Sequence, residues 1–447
     1  MLGLGDAVLL IVASVVGSGI FFTPARVAAL LPDAGLIALA WTVGALLSLA
    51  GAFANAELGA MFPRAGGDYV YLREGLHPAA GFLVGWLSFF VIYAGTIAAL
   101  AVVFAEALAV PLGLSRRGIV ALAAAVIAAG SLIHLRSTRL AAVVNNGTSL
   151  AKLAALLAFV VVGPIVGTGS YAPWLEATPV DLASGGAGAP PPVDLVWRFG
   201  QALSPILFSY LGWNASVYVA SEIRDPVRNV PRSLFLGLGL CAVLYLAVNA
   251  VYLYALPPAA LANAGDAGAA AARGLFGEAG ARWVSAFVLV SVLGTLNATL
   301  LVGPRIVYAM SLDGHFVSRA GRVHAGFRTP GVAIGVQALV SIGLVVFLET
   351  FPRALDFTVF GIVLATCGDV VALFALRRRH PLRTRPFRAR GHPWVPGIYL
   401  LANLAVGVAI AMARPREAWT TLGLLGLGLL LYAAVFARAD ARGAGGR

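Results

Sequence analysis

The chain has 447 residues, 60% of them hydrophobic and 11% charged, with a mean hydropathy of +0.90, whereas soluble proteins carry about 25% charged residues. That excludes a water-soluble enzyme: about 268 apolar residues supply roughly a dozen bilayer crossings at about 20 residues each and leave no large polar domain. The formal charge of +12 does not indicate nucleic acid, because the basic residues lie in short loops between apolar runs rather than on one packed face.

The apolar runs fall near 5–31, 35–60, 77–110, 118–134, 140–167, 197–222, 233–256, 280–313, 330–348, 354–376, 394–413 and 417–437, which predicts twelve transmembrane helices in an all-α polytopic membrane protein. The first run has no basic leader, carries Asp6 at its start and is followed at once by a second apolar run. It therefore reads as a retained span rather than a cleaved signal peptide. With the amino terminus inside, 20 Lys/Arg fall in inner connections and 8 in outer ones. This asymmetry places both termini in the cytoplasm of a cell inner membrane. Thirty of the 31 basic side chains are Arg, which suggests the GC-rich coding of a bacterium. The long outer connection, 168–196, contains an SGGAGAPPP tract of flexible or extended coil.

The two cysteines, Cys241 and Cys367, both lie inside apolar runs, so no disulfide framework or CxxC zinc cluster is expected. No cofactor is expected either. A membrane-embedded enzyme would need a cluster of acids, bases or metal ligands. The six histidines instead fall in or beside predicted cytoplasmic loops, with no HExxH. A channel is disfavoured because the polar break in span 6 is enclosed by Phe208, Tyr210 and Trp213 rather than by a ring of charges.

Two spans are interrupted. Span 1 reads VVGSGIFFTP, with Gly17, Ser18 and Gly19 near mid-bilayer. Span 6 reads ALSPILFSYLGWN, with Pro205 and Gly212 bracketing a small polar segment at similar depth. Either glycine-rich segment alone would also suit close helix packing. Breaks at corresponding places in two five-helix halves point instead to a transporter site at an inverted-repeat interface. Unwound backbone there offers amide N–H groups to a carboxylate and carbonyls to an ammonium. A zwitterionic amino acid satisfies both without a charged side chain.

GSGIF in span 1, PRAGGDYVYLREGLHP at 63–78, FSYLGWN in span 6, ASEIRDPVRNVPR at 220–232 and GTLNATLLVGPRIVYAMSLDGHF at 294–316 together resemble the amino acid, polyamine and organocation (APC) superfamily. Within it, the chain resembles bacterial relatives of the L-type amino acid transporters. The resemblance implies a LeuT-like fold: a first inverted repeat at 1–167, the outer loop 168–196, a second repeat at 197–376, a basic cytoplasmic loop at 377–393, two peripheral helices within 394–437 and a tail at 438–447. It also implies that the backbone around Gly17, with Ser18, Gly19 and Ile20, holds a substrate carboxylate. Carbonyls of Val15, Phe208 and Leu211 would take the amino group, Ser209 and Gly212 would complete the pocket, and Phe208 would act as an aromatic lid. Many L-type members have Gly where this chain has Leu211, so a smaller pocket and small or medium neutral amino acids are expected. A polyamine or other organic amine is the alternative. The loop PLGLSRRG after span 3 has no Cys, which argues against a disulfide-linked heavy chain.

Lys152, the only lysine, lies about 13 residues into span 5, where a charge costs about 2.5–3.5 kcal/mol on insertion scales. The resemblance places it where related transporters bind Na⁺, facing Thr295 and Thr299 of span 8. Sodium-independent transport, as an exchanger or a proton-linked permease, is therefore expected, although a purely structural lysine fits equally well. Arg305, Asp313 and Asp369 sit near predicted inner ends, where snorkelling and ion pairing are usual. Glu222, Asp225 and Arg228 are candidate inner latch residues.

Overall fold

The computed structural model describes residues 1–31, 33–109, 111–136, 138–172, 192–327, 329–348, 351–413 and 415–437. Most of the expected 168–196 loop and the 438–447 tail lie outside the described residues. Helices account for nearly all the regular structure, and the isolated bridge between Leu2 and Ile223 is the only β pairing among the described residues.

The first segment is split into α1 (Leu4–Val15) and α2 (Gly19–Leu30), bent by 46°. Next comes α3 (Ala34–Met61), started by the Asp33 carboxylate accepting from Leu36 N, a side-chain cap for an otherwise orphaned donor. A short α4 (Asp68–Gly75) follows. The third segment runs from α5 (Pro78–Leu87), with Pro78 at its first turn, through a π-turn at Ser88–Tyr93 into α6 (Ala94–Ala107). Then come α7 (Arg116–Arg136) and α8 (Thr138–Val166).

The sixth segment is again divided, into α9 (Pro192–Ser209) and the single turn α10 (Ala215–Tyr218). After it come α11 (Pro226–Ala255), a short α12 (Pro258–Ala262), α13 (Ala267–Val302), α14 (Pro304–Leu312) and α15 (Gly331–Leu348). The last three helices are α16 (Phe351–Arg379), α17 (Trp394–Ala413) and α18 (Pro415–Leu431).

Among the described residues nine helical stretches are long and apolar enough to cross a membrane, and α1 with α2 makes ten. Helices stand at the other two expected runs as well: α9, which ends at the break in the sixth segment, and α15, each of 18 residues. The eighth run is preceded by an added helical stretch that starts at Ala267, capped by Asp266; Gly277, at φ 71° and ψ −166°, breaks it from the helix of the apolar run, which begins close to where expected. A cap and a run of alanines suffice to begin a helix in water.

α1 is central, packed on α8, α11 and α13, while α2 packs on α9, α12 and α13. α17 and α18 lie against α16 at the periphery. Exposed apolar side chains on them, such as Leu401, Trp419 and Leu430, suit a hydrocarbon surroundings rather than water.

Candidate functional site

The two breaks meet. Val16 leaves helical geometry at ψ 85°, and Gly17 N–H turns back to Val15 O at 2.9 Å. Winding resumes only where Phe21 and Phe22 N–H reach Ser18 O, at 3.1 and 3.3 Å. The amides of Ser18, Gly19 and Ile20 therefore precede the first intrahelical bonds of α2, at the positive end of its dipole.

Gly212, at φ 91°, sits so close to α1 that a Cβ on it would lie 2.7 Å from Ser14 Cβ and 3.0 Å from Ser14 O. Only glycine tolerates both that dihedral and that approach. A Cβ on Gly19 would lie 2.8 Å from both Cα and Oγ of Ser209. Ser209 Oγ bonds Thr23 Oγ1 at 2.8 Å and donates to Pro205 O at 3.1 Å. In this way α2 and α9 are laced together beside the breaks.

Between the breaks lies a cavity of about 100 Å³, lined by Val15, Gly17, Ser18, Gly19, Phe208, Ser209, Leu211, Gly212, Thr295 and Thr299 and, farther along, by Asp68, Tyr93 and Tyr218. Ile20 is buried but does not line it. Phe208 O is already engaged by Leu211 N at 2.9 Å. Val15 O accepts both Gly17 N and Tyr245 Oη, the latter at 2.8 Å. Leu211 O receives no donor among the described residues and is the freest of the three carbonyls named from the sequence. Phe208 and Leu211 also line a separate void of about 30 Å³ behind them, with Ser48, Thr366 and Asn403.

Lys152 is fully buried. Its ammonium donates to Val16 O at 2.6 Å and Ala13 O at 3.1 Å, both at the C-terminal end of α1 just before the break, and to Thr295 Oγ1 on α13 at 2.8 Å. Thr295 Oγ1 itself lies 2.9 and 3.1 Å from Ala13 O and Val16 O. Thr299 is one turn on, donating to Thr295 O at 2.8 Å, and faces the cavity rather than the lysine.

Of the latch candidates, Glu222 pairs with Arg305, Nε to Oε1 at 2.9 Å. Asp225 and Arg228 form an exposed pair 3.9 Å apart, of a kind that contributes little. The bridge between Leu2 and Ile223 ties the amino-terminal residues to the same place. A second cavity of about 940 Å³ at this end is lined by Leu2, Asp6, Arg136, Glu222 and Arg305.

Sequence reasoning missed several contributors. Tyr245 and Ser291, the latter donating to Val16 O at 3.2 Å, lie in apolar runs where a hydroxyl gives no sign of its target. Gly294 could have been read: a Cβ there would sit 2.9 Å from Lys152 Cε, and a glycine opposite an intramembrane lysine is what a long buried stem needs.

An all-helical membrane protein whose two discontinuous segments enclose a small cavity, with helix-end amides on one wall and carbonyls on the other, is a solute transporter by architecture. Residues 2–436 match the family model described as amino acid permease, and the chain belongs to that family, within the APC superfamily. Family and relatives alike are transporters, not enzymes. The chain is 28% identical over 409 residues to the serine/threonine exchanger SteT of Bacillus subtilis (strain 168), covering 91% of this chain and 90% of that one. It is 29% identical over 411 residues to the large neutral amino acids transporter small subunit 2 of Oryctolagus cuniculus, covering 90% and 74%. It is also 29% identical over 351 residues to the b(0,+)-type amino acid transporter 1 of that species, covering 76% and 68%.

Proposed function

We propose that this chain is a sodium-independent exchanger of small or medium neutral L-amino acids in the cell inner membrane, with both termini cytoplasmic. The observation that carries this reading is the shared cavity of the two breaks. Amides of Ser18 and Gly19 receive the substrate carboxylate, and Leu211 O, with the remaining lone pair of Phe208 O, receives the ammonium. Residues 1–167 and 197–376 act as the two halves of an inverted repeat, each giving one break, with the helices within 394–437 outside it. The size of the cavity supports a small substrate: about 100 Å³ equals the liquid volume of about three waters. Leu211 narrows it.

Sodium independence rests on Lys152, whose ammonium occupies the oxygens a cation would use and repels one by charge. Exchange is the activity in the printed name of the SteT relative. Absence of a disulfide-linked partner rests on Cys241 and Cys367 both being buried free thiols.

The test is counterflow in proteoliposomes loaded with unlabelled amino acid. Labelled serine or threonine should accumulate in choline buffer as fast as in Na⁺ buffer, and the ranking of competitors should fall with side-chain size. Transport that requires Na⁺ overturns the assignment of Lys152; better competition by polyamines than by amino acids overturns the substrate class.

A further inference from the structure

We propose that Asp68 and Asp369 form a proton-binding site on the wall of the substrate cavity, loaded and unloaded with each turn of the transport cycle. The inference rests on reading that cavity as the substrate site. Asp68, at the start of α4, and Asp369, in α16, are 1% and 0% exposed, and the two helices that carry them pack against each other. Two carboxylates buried without a cation repel each other and lose hydration, both of which favour a proton bound between the two groups.

The groups facing them supply no countercharge. They are the hydroxyls of Tyr71, Tyr93, Tyr218 and Tyr399, the thiol of Cys367 and the amide of Asn55. Neither carboxyl has a Lys, Arg or His against it among the described residues. Tyr218 Oη donates to Asp68 Oδ2 at 2.5 Å and Asn55 Nδ2 to Asp369 Oδ2 at 2.9 Å. Three buried acceptors are left over: Asp68 Oδ1, Asp369 Oδ1 and Asn55 Oδ1 have no donor, and the Tyr71 hydroxyl beside them is also unpartnered. Unmet acceptors at one spot call for a proton.

Asp68 gives this pair an exit, because it lines the substrate cavity together with Tyr218. The four residues come from α3, α4, α10 and α16, and Gly67, φ 49°, lies against the Tyr218 ring. A pair carrying one proton holds these elements closed. When the O–H bond breaks and the proton passes to cavity water, two like charges remain in a buried site, which favours separation and water entry.

The experiment uses the purified full chain and L-serine. Binding is measured calorimetrically in phosphate and in Tris between pH 6 and 8, with Tm followed over the same range. The wild type should exchange a fraction of a proton up to one per serine bound, and D369N, of the same shape, should exchange none. A proton number of zero in the wild type, or one that survives in D369N, overturns the proposal. Should serine fail to bind, the substrate reading fails, but Tm still tests the site: its pH dependence should flatten in D369N, and an unchanged profile overturns the proposal. A wild-type Tm that responds instead to exchanging Na⁺ for choline assigns the acceptors to a metal cation and overturns it too.

Discussion

Replacing Lys152 with Met keeps the stem and removes the ammonium. Three charge-assisted hydrogen bonds disappear, to Val16 O, Thr295 Oγ1 and Ala13 O, each contributing about 1.5–3 kcal/mol. Against this, the bilayer interior no longer hosts a charge that costs about 2.5–3.5 kcal/mol. The carbonyls are not orphaned, since Thr295 and Ser291 hydroxyls still donate to them. The net loss should therefore sit near the low end, at about 2–3 kcal/mol. If it falls on the conformation that binds substrate, counterflow drops roughly 30- to 140-fold at about 1.4 kcal/mol per decade. The assay is initial-rate counterflow in proteoliposomes matched for inserted protein, in Na⁺ and in choline. Activity within twofold of wild type would show that the break keeps its shape without the lysine and would refute the reasoning.

Gly19→Val places branched carbon against Ser209, where even a Cβ would stand 2.8 Å from Cα; equilibrium binding of serine should be lost while size-exclusion elution stays that of wild type. Leu211→Gly should join the cavity of about 100 Å³ to the void of about 30 Å³ behind it, shifting competition towards larger side chains, and an unchanged ranking would remove Leu211 from selectivity. Glu222→Gln weakens the pair with Arg305, whose side chain is 4% exposed, and should lower Tm more than Asp225→Asn, which disturbs only a solvated pair. Single cysteines in the 168–196 loop should react with an impermeant thiol reagent on intact cells; reaction only after permeabilisation would invert the topology.

The fold was legible because a bilayer imposes a single length scale. Runs of about 20 apolar residues announce helices whatever their packing, and even the 18-residue α15 matched its run. Lipid erases a different signal. With apolar residues on every face, the sequence of α3 or α8 does not say which side meets protein, so Asn55 could not be assigned to Asp369 or Ser149 to Leu9 O at 3.0 Å. Gly17 and Gly212 were legible as breaks because each interrupts an apolar run. That Gly212 lies against Ser14, and so brings the breaks into contact, is a property of the assembled bundle alone.

Charges divide by the same rule. Lys152 stood out by cost, as a lone cation at mid-depth, and two of its three acceptors, Ala13 O and Val16 O, are carbonyls that the break in the first segment exposes. Asp369 reads from the sequence as a snorkelling or ion-paired acid because it lies near the inner end, and Asp68 escaped notice because it falls in a connection, where an acid reads as solvated. Both are buried. The connection between α3 and α5 folds inward: Gly66 and Gly67 take positive φ, 115° and 49°, which lets Gly66 N–H reach Tyr218 O at 3.3 Å and carries Asp68 under the sixth segment. A GG pair marks a turn in any sequence. That this turn delivers a carboxyl to the cavity follows from where α10 ends, one short turn after the second break, so the break that opens a place for substrate also opens one for Asp68.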